Sequence, residues 1–263
     1  MGNDRLTIFE NIKRNVRQRC GFGCVLCGNP VIDYDHIEEY HIVKEHKEEN
    51  ITLLCPQHHR EKTAGRLPKS MVIEANKNPF NLRKNNIGKN NLYYYGNEAT
   101  ITIGTVSFYT KDCGNGSILI PLIIYEKIPI HFLLKDNELL LNVKLRDKND
   151  DIILLIENNQ LKASIGIWDF KYVGTSLLLR EKTRSVFIEV EFTAPNKINF
   201  KRGKIFCKGE FFELSDKGLV YNGKNMDMQF LNGTINSPIG IVLDDEFKDF
   251  NLNGGFFLQV PKE

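Results

Sequence analysis

Residues 24–27 are Cys-Val-Leu-Cys and residues 55–58 are Cys-Pro-Gln-His, so metal-ligating side chains occur twice at the same spacing. Two such side chains separated by two residues can bind one ion from a single tight turn. Three thiolates and one imidazole make a closed tetrahedral set that suits structural zinc. Cys20, four residues upstream, is a competing ligand at poorer spacing. The spacing predicts a structural zinc site with these ligands: Cys24, Cys27, Cys55 and His58.

A second group of polar residues lies within and beside this zinc frame, although structural zinc does not need it. Asp35 and His36 end the alternating segment 31–36, which we predict to be a short strand. Asn50 follows fourteen residues later, and His59 comes nine residues after Asn50. Taken singly, each has an ordinary explanation as an exposed pair, a turn residue or a neighbour of the zinc ligand. Their joint spacing indicates one site.

This Asp-His, Asn, His pattern resembles the HNH endonucleases, whose site is the ββα-metal or His-Me finger. The resemblance covers about residues 6–80 and rests on VRQRCGFGCVLCG, DYDHI, NITLLCPQHHREKT and the short helix before Pro79. Many members of that family hold the finger together with such a zinc knuckle pair. The commoner second knuckle is Cys-x2-Cys-His, and His58 stands here where the second cysteine would be. Which of His58 and His59 faces which metal is therefore a question for the structure.

The resemblance implies a role for each of these residues. His36 matches the general base that deprotonates water, and a neutral imidazole suits that task. Asp35 and His59 match the ligands of a catalytic divalent ion, Mg²⁺ or Mn²⁺, and leave positions open for water and phosphate. Asn50 matches the residue that positions the loop and the base. Two basic side chains on the same predicted helix can offer charge to a phosphate: Arg60 and Lys62.

Two other histidines, His41 and His46, lie in the charged loop of residues 38–49, and we expect both to be solvated. Charge is uneven along the chain. Residues 1–95 hold 15 Lys and Arg against 11 Asp and Glu, whereas residues 96–263 hold 20 against 22. The predicted first helix, residues 6–19, has a basic side that fits either a phosphate-facing surface or an ordinary solvated face: Lys13, Arg14, Arg17 and Arg19.

The rest of the chain has a β pattern. An Asn-rich segment, residues 81–97, is predicted to be a linker. Beyond it, apolar residues alternate in short runs separated by turn signals such as KDNE and ENNQ. We predict an α+β protein with a zinc-braced finger at 1–80 and an all-β domain at 98–263. A sandwich is the first expectation for that domain and an irregular stacked sheet the second. Cys113 and Cys207 are expected to be buried thiols, and Trp168 is expected to pack in the β core.

The function implied is a metal-dependent endonuclease that hydrolyses DNA phosphodiester bonds, with duplex DNA as its partner. Family habits favour a role in restriction or antiphage defence. The alternative is a non-catalytic, zinc-stabilised nucleic-acid-binding or sensor protein. The β domain is slightly acidic, so we expect it to contact a protein, nucleotide or self surface rather than the phosphate backbone, and to serve target choice, control or homo-oligomerisation. No stretch approaches the roughly 18 apolar residues of a membrane span, and the charged start is unlike a signal peptide, so the prediction is a cytoplasmic protein.

Overall fold

The structure is a computed structural model that describes residues 7–224, 226–244 and 255–259. The chain divides into two units. The first comprises residues up to 90 together with residues 164–172, and the second comprises residues 91–163 and those from 173 onward. No helix in the described ranges is long and apolar enough to span a membrane.

The first unit holds all the helices found in the described residues. It includes a pair of antiparallel strands and the helix that follows them. Their order is strand, loop, strand, helix, which is the ββα arrangement that the family resemblance implies. The elements are α1 Glu10–Arg19, β1 Asp33–His36, α2 Tyr40–Val43, a 3₁₀ helix Glu48–Asn50, β2 Ile51–Leu54, α3 Pro56–Thr63, α4 Lys69–Lys77, α5 Phe80–Lys84 and β3 Ile87–Asn91.

The core of this unit lies where α1 and α4 pack on β2. Both faces of β2 are buried, because Ile51, Leu53 and Leu54 are fully covered. Val16 from α1 and Val72 from α4 belong to the same cluster. The helix that the sequence predicts from Leu6 begins at Glu10, and Leu6 itself is outside the described residues.

Arg17, predicted to lie on a basic outer face, is instead buried. Its Nε and Nη2 donate to the two carboxylate oxygens of Asp169, at 2.8 and 2.7 Å, and its Nη1 donates to the hydroxyl of Tyr34 at 2.6 Å. Burial is the largest single influence and opposes the charge, but the contacts with Asp169 and Tyr34 together outweigh it and raise the pKa of Arg17 above its ordinary value. Arg19 likewise donates to backbone oxygens of Glu48 and Ile51. The prediction of a phosphate-facing or solvated surface was therefore wrong for Arg17, whose charge serves the fold.

The second unit is built from strands in two sheets. One has the order β20-β19-β6-β7-β8-β9-β10 and the other β12-β13-β14-β15-β16-β17, with β4 parallel to β14, β5 antiparallel to β4 and β18 parallel to β5. The strands of the chain beyond β3 are β4 Glu98–Ile103, β5 Val106–Lys111, β6 Ser117–Ile124, β7 Ile130–Lys135, β8 Glu138–Arg146, β9 Ile152–Glu157, β10 Gln160–Ala163, β11 Asp169–Val173, β12 Ser176–Lys182, β13 Ser185–Thr193, β14 Lys197–Cys207, β15 Glu210–Ser215, β16 Gly218–Asn222, β17 Asp227–Phe230, β18 Gly233–Asn236, β19 Ile239–Asp244 and β20 Phe256–Gln259.

Alternation along these strands buries one face, as the sequence predicts, and the α+β class is confirmed. In β8, every second residue from Leu139 to Leu145 is buried. Both turn signals form tight hairpins, since Asp136 and Asn137 after β7, and Asn158 and Asn159 after β9, have positive φ.

Other details differ from expectation. Cys113 is exposed rather than buried, whereas Cys207 is buried. Trp168 belongs to the first unit, where the guanidinium of Arg14 lies 4.7 Å from its ring centre. Residues 81–97, predicted to be a linker, contain most of α5 and all of β3. The domain boundaries 1–80, 81–97 and 98–263 stay a prediction.

Candidate active site and zinc cluster

The four predicted zinc ligands converge. Their ligand atoms all lie within 4.8 Å of one another. Nδ1 of His58 is 3.4 Å from Sγ of Cys24 and 3.3 Å from Sγ of Cys55, and the sulfurs of Cys27 and Cys55 are 3.8 Å apart. Tetrahedral zinc with Zn–S bonds of about 2.3 Å separates its sulfurs by about 3.8 Å. The donor set and its spacing therefore fit structural zinc.

The sequence left Cys20 and His59 as alternatives for this site, and neither belongs to it. Cys20 is buried, its Sγ lies 3.6 Å from Oδ1 of Asn76, and burial raises the pKa of its thiol. Within the cluster, the hydrogen bond from Cys27 lowers the pKa of Cys24 to about 4 and raises that of Cys27.

Asn81, which was not anticipated from the sequence, stabilises the first knuckle through hydrogen bonds to the backbone on either side of it. This fully buried side chain donates from Nδ2 to the backbone oxygens of Gly21 and Gly28, at 2.8 and 3.1 Å. Its Oδ1 accepts from the backbone N–H of Gly88 at 3.0 Å. A Cβ on Gly28, whose φ is +78°, would lie 2.2 Å from that Oδ1. The knuckle therefore needs glycine at position 28, which has positive φ and a close contact at once.

The strand register brings the second group of residues together beside the zinc cluster. In the antiparallel pair, Asp35 lies opposite Thr52 and His36 opposite Ile51. Residues 33 and 35 share one face of β1, because side chains alternate along a strand. The helix α3 starts at Pro56 directly after β2, a position that proline favours. One turn later, His59 reaches that face of β1.

His59 lies between two carboxylates. Its Nε2 is 3.4 Å from Oδ1 of Asp35, and its Nδ1 is 3.1 Å from Oδ2 of Asp33. Two neighbouring ligands of an octahedral ion with bonds of about 2.1 Å lie about 3 Å apart, so Asp35 and His59 can share a divalent ion. Asp33, which the sequence pattern did not single out, contacts the other ring nitrogen of His59, the position from which a carboxylate commonly orients a metal-ligating histidine.

His36 lies at the end of β1 and is buried. Its Nε2 shares a hydrogen bond of 3.0 Å with Nδ1 of His46. His46 also stacks on Tyr40, with ring centres 4.8 Å apart and planes 20° from parallel. His46 was expected to be solvated, and the structure places it against His36 instead; His41 is 73% exposed, as expected.

Asn50 closes the loop that separates the two strands. Its Oδ1 accepts from the backbone N–H of Glu38 at 2.7 Å, and its Nδ2 donates to the backbone oxygen of Glu38 at 2.9 Å. Its own backbone oxygen accepts from the N–H of Ile37 at 2.8 Å. Asn50 therefore ties the residues that directly follow His36.

The two predicted phosphate-binding residues of α3 differ in their surroundings. The ammonium of Lys62 donates to Oδ2 of Asp35 at 2.5 Å and to the backbone oxygen of His36 at 2.6 Å, and its side chain is 14% exposed. Arg60 is exposed. The structure thus holds Lys62 within the site and leaves Arg60 facing solvent.

Asp35, His36 and His59 line an open cavity of 320 Å³. Its lining comprises Thr7, Ile8, Tyr34, Asp35, His36, His46 and His59.

Residues 24–65 match the model of the HNH endonuclease family. The HNH segment contains the four zinc ligands and the residues from Asp35 to Lys62 described above. It indicates a nuclease-type function at the level of the family. Comparisons with curated proteins and with solved structures found no match. The second unit lies outside the HNH segment.

Proposed function

We propose that this protein is a metal-dependent endonuclease that hydrolyses phosphodiester bonds of duplex DNA. The observation that carries the proposal is the convergence of Asp35, His36 and His59 on one cavity beside a separate zinc cluster. Two metal-ligating side chains that leave the other coordination positions of an ion open, next to a histidine, suit hydrolysis by an activated water. The closed zinc cluster leaves no position for substrate and serves the fold.

His36 is the general base that takes the proton from the attacking water. Asp35 and His59 would hold a divalent ion, Mg²⁺ or Mn²⁺, which when bound would supply positive charge to offset the negative charge of the phosphate. Asp33 orients His59 through Nδ1 and directs Nε2 toward Asp35. Asn50 fixes the backbone at residues 37 and 38. This holds the adjacent backbone of His36, and with it the position of its ring.

Lys62 neutralises one oxygen of Asp35 and also contacts the backbone of His36. Its role is therefore to position these two residues, while Arg60 is the member of the pair that contacts phosphate.

The test is cleavage of supercoiled plasmid with added Mg²⁺ or Mn²⁺, with zinc content measured in the same preparation. We expect His36→Ala to lower the cleavage rate by about 10²–10⁴-fold, which is the usual contribution of a general base. Zinc content stays at one per chain, because His36 is not a zinc ligand. His41→Ala is the matched control, since His41 lies in the same loop but is exposed.

Equal rates for the parent and His36→Ala would remove His36 as the base. Salt-sensitive DNA binding without cleavage by any divalent ion would instead support a zinc-stabilised binding module. Parallel assays with RNA and with single-stranded DNA test the choice of duplex DNA.

A further inference from the structure

His46 sits where it can control the ring of His36. The loop between β1 and β2 leaves the strand after His36 and returns through the 3₁₀ helix that ends at Asn50. The bonds of Asn50 to Ile37 and Glu38 close the neck of this loop. The loop therefore folds back, and His46 meets the residue from which the loop started.

The contact between the two histidines is specific. Nδ1 of His46 lies 3.0 Å from Nε2 of His36, a hydrogen-bond distance. Tyr40, at the start of α2, packs against both rings, with centres 5.3 Å from His36 and 4.8 Å from His46. Stacking on Tyr40 restricts the rotation of His46, so its Nδ1 keeps facing His36.

A histidine acts as a base through one ring nitrogen, and the proton on the other nitrogen decides which one is available. The proton shared with His46 fixes which nitrogen of His36 carries its own proton: Nε2 is protonated when His46 accepts, and Nδ1 is protonated when His46 donates. His46 would thus select the tautomer and the orientation of His36.

We propose that His46 is a positioning residue for the general base His36, a role that rests on the proposed nuclease function. His46 does not touch the phosphate or hold the metal. It acts through the Nε2 of His36, and Tyr40 holds it in place.

The experiment compares His46→Ala, His46→Asn and His41→Ala in the full-length, zinc-loaded protein. Cleavage of a duplex oligonucleotide gives kcat and KM. Nitrogen-15 spectra of the histidine rings, recorded at one fixed pH without substrate, report the tautomer of His36. Asparagine can place an amide oxygen near the position of Nδ1, whereas alanine cannot.

We expect His46→Ala to lower kcat by about 10–100-fold with KM changed less than twofold, by analogy with the loss of an outer partner of a metal-ligating residue. His46→Asn recovers at least fivefold of that loss, and His41→Ala stays within twofold of the parent. One tautomer of His36 predominates in the parent, and its population falls in His46→Ala.

A kcat within twofold of the parent in His46→Ala, or a rise in KM alone, would overturn the proposal. An unchanged tautomer of His36 in His46→Ala would overturn it as well. Should neither the parent nor His36→Ala cleave, the nuclease assignment fails, and the tautomer measurement still decides whether His46 controls His36. If His46→Ala does not fold, His46→Asn decides whether His46 positions His36. In that variant, a reduced kcat together with a His36 tautomer unlike that of the parent would contradict the proposal.

Discussion

The two clusters of polar side chains in the first unit use neighbouring histidines in different ways. His58 joins three cysteines, so four protein atoms surround one point and no position is left for water or substrate. His59, the next residue, contacts the carboxylates of Asp33 and Asp35 and faces an open cavity. Successive residues of a helix point about 100° apart, which lets one short helix serve both regions. A complete ligand set stabilises a fold, whereas an incomplete one leaves room for chemistry.

The zinc cluster should carry the largest effect, because binding free energy at a structural site is also folding free energy. We expect Cys55→Ser to remove zinc and to unfold the first unit, at a cost on the order of 10 kcal/mol. The measurements are zinc content and thermal unfolding of the full-length protein.

Cys113→Ser is the matched control, because Cys113 is an exposed cysteine outside the cluster. It should leave both quantities unchanged. If Cys55→Ser kept one zinc per chain and the parental unfolding transition, Cys55 would not be a ligand.

Replacing His58 and His59 with alanine, one at a time, separates the contribution to stability from the contribution to catalysis. We expect His58→Ala to weaken zinc binding and lower the unfolding temperature. His59→Ala should keep its zinc but lower divalent-dependent cleavage by about 10²–10³-fold, since a lost metal ligand removes a few kcal/mol of charge stabilisation. Zinc analysis, thermal unfolding and plasmid cleavage are measured on both variants. Zinc loss in His59→Ala with normal zinc in His58→Ala would mean that the two histidines have the opposite roles.

Local spacing made part of this arrangement predictable. Two ligands separated by two residues can bind one ion from a single tight turn, so the zinc set could be inferred from spacing. The alternating strands could be inferred from the hydrophobic pattern, and the ββα order from the family resemblance. Asp33, His46 and Asn81 could not, because each acts through a contact that depends on strand register, loop closure or a distant turn. Arg17 misled for the same reason: its partner Asp169 is 152 positions away in the chain. Residues whose roles depend on such distant partners require the structure.

The smallest effect is expected from the two basic residues of α3, which differ in environment although they are two positions apart. In a His36→Ala background, which avoids cleavage, Arg60→Ala should weaken DNA binding equally for unrelated sequences. It should also reduce the slope of log affinity against log salt by about one, as expected for one lost phosphate contact.

Lys62→Met should leave that slope unchanged, because the ammonium of Lys62 is already engaged by Asp35 and the backbone of His36. Lys62→Met should instead lower the free energy of unfolding by about 1–3 kcal/mol, since it leaves a buried carboxylate oxygen without its donor. A reduced slope in Lys62→Met with a parental slope in Arg60→Ala would show that Lys62 leaves Asp35 to bind phosphate when DNA is present.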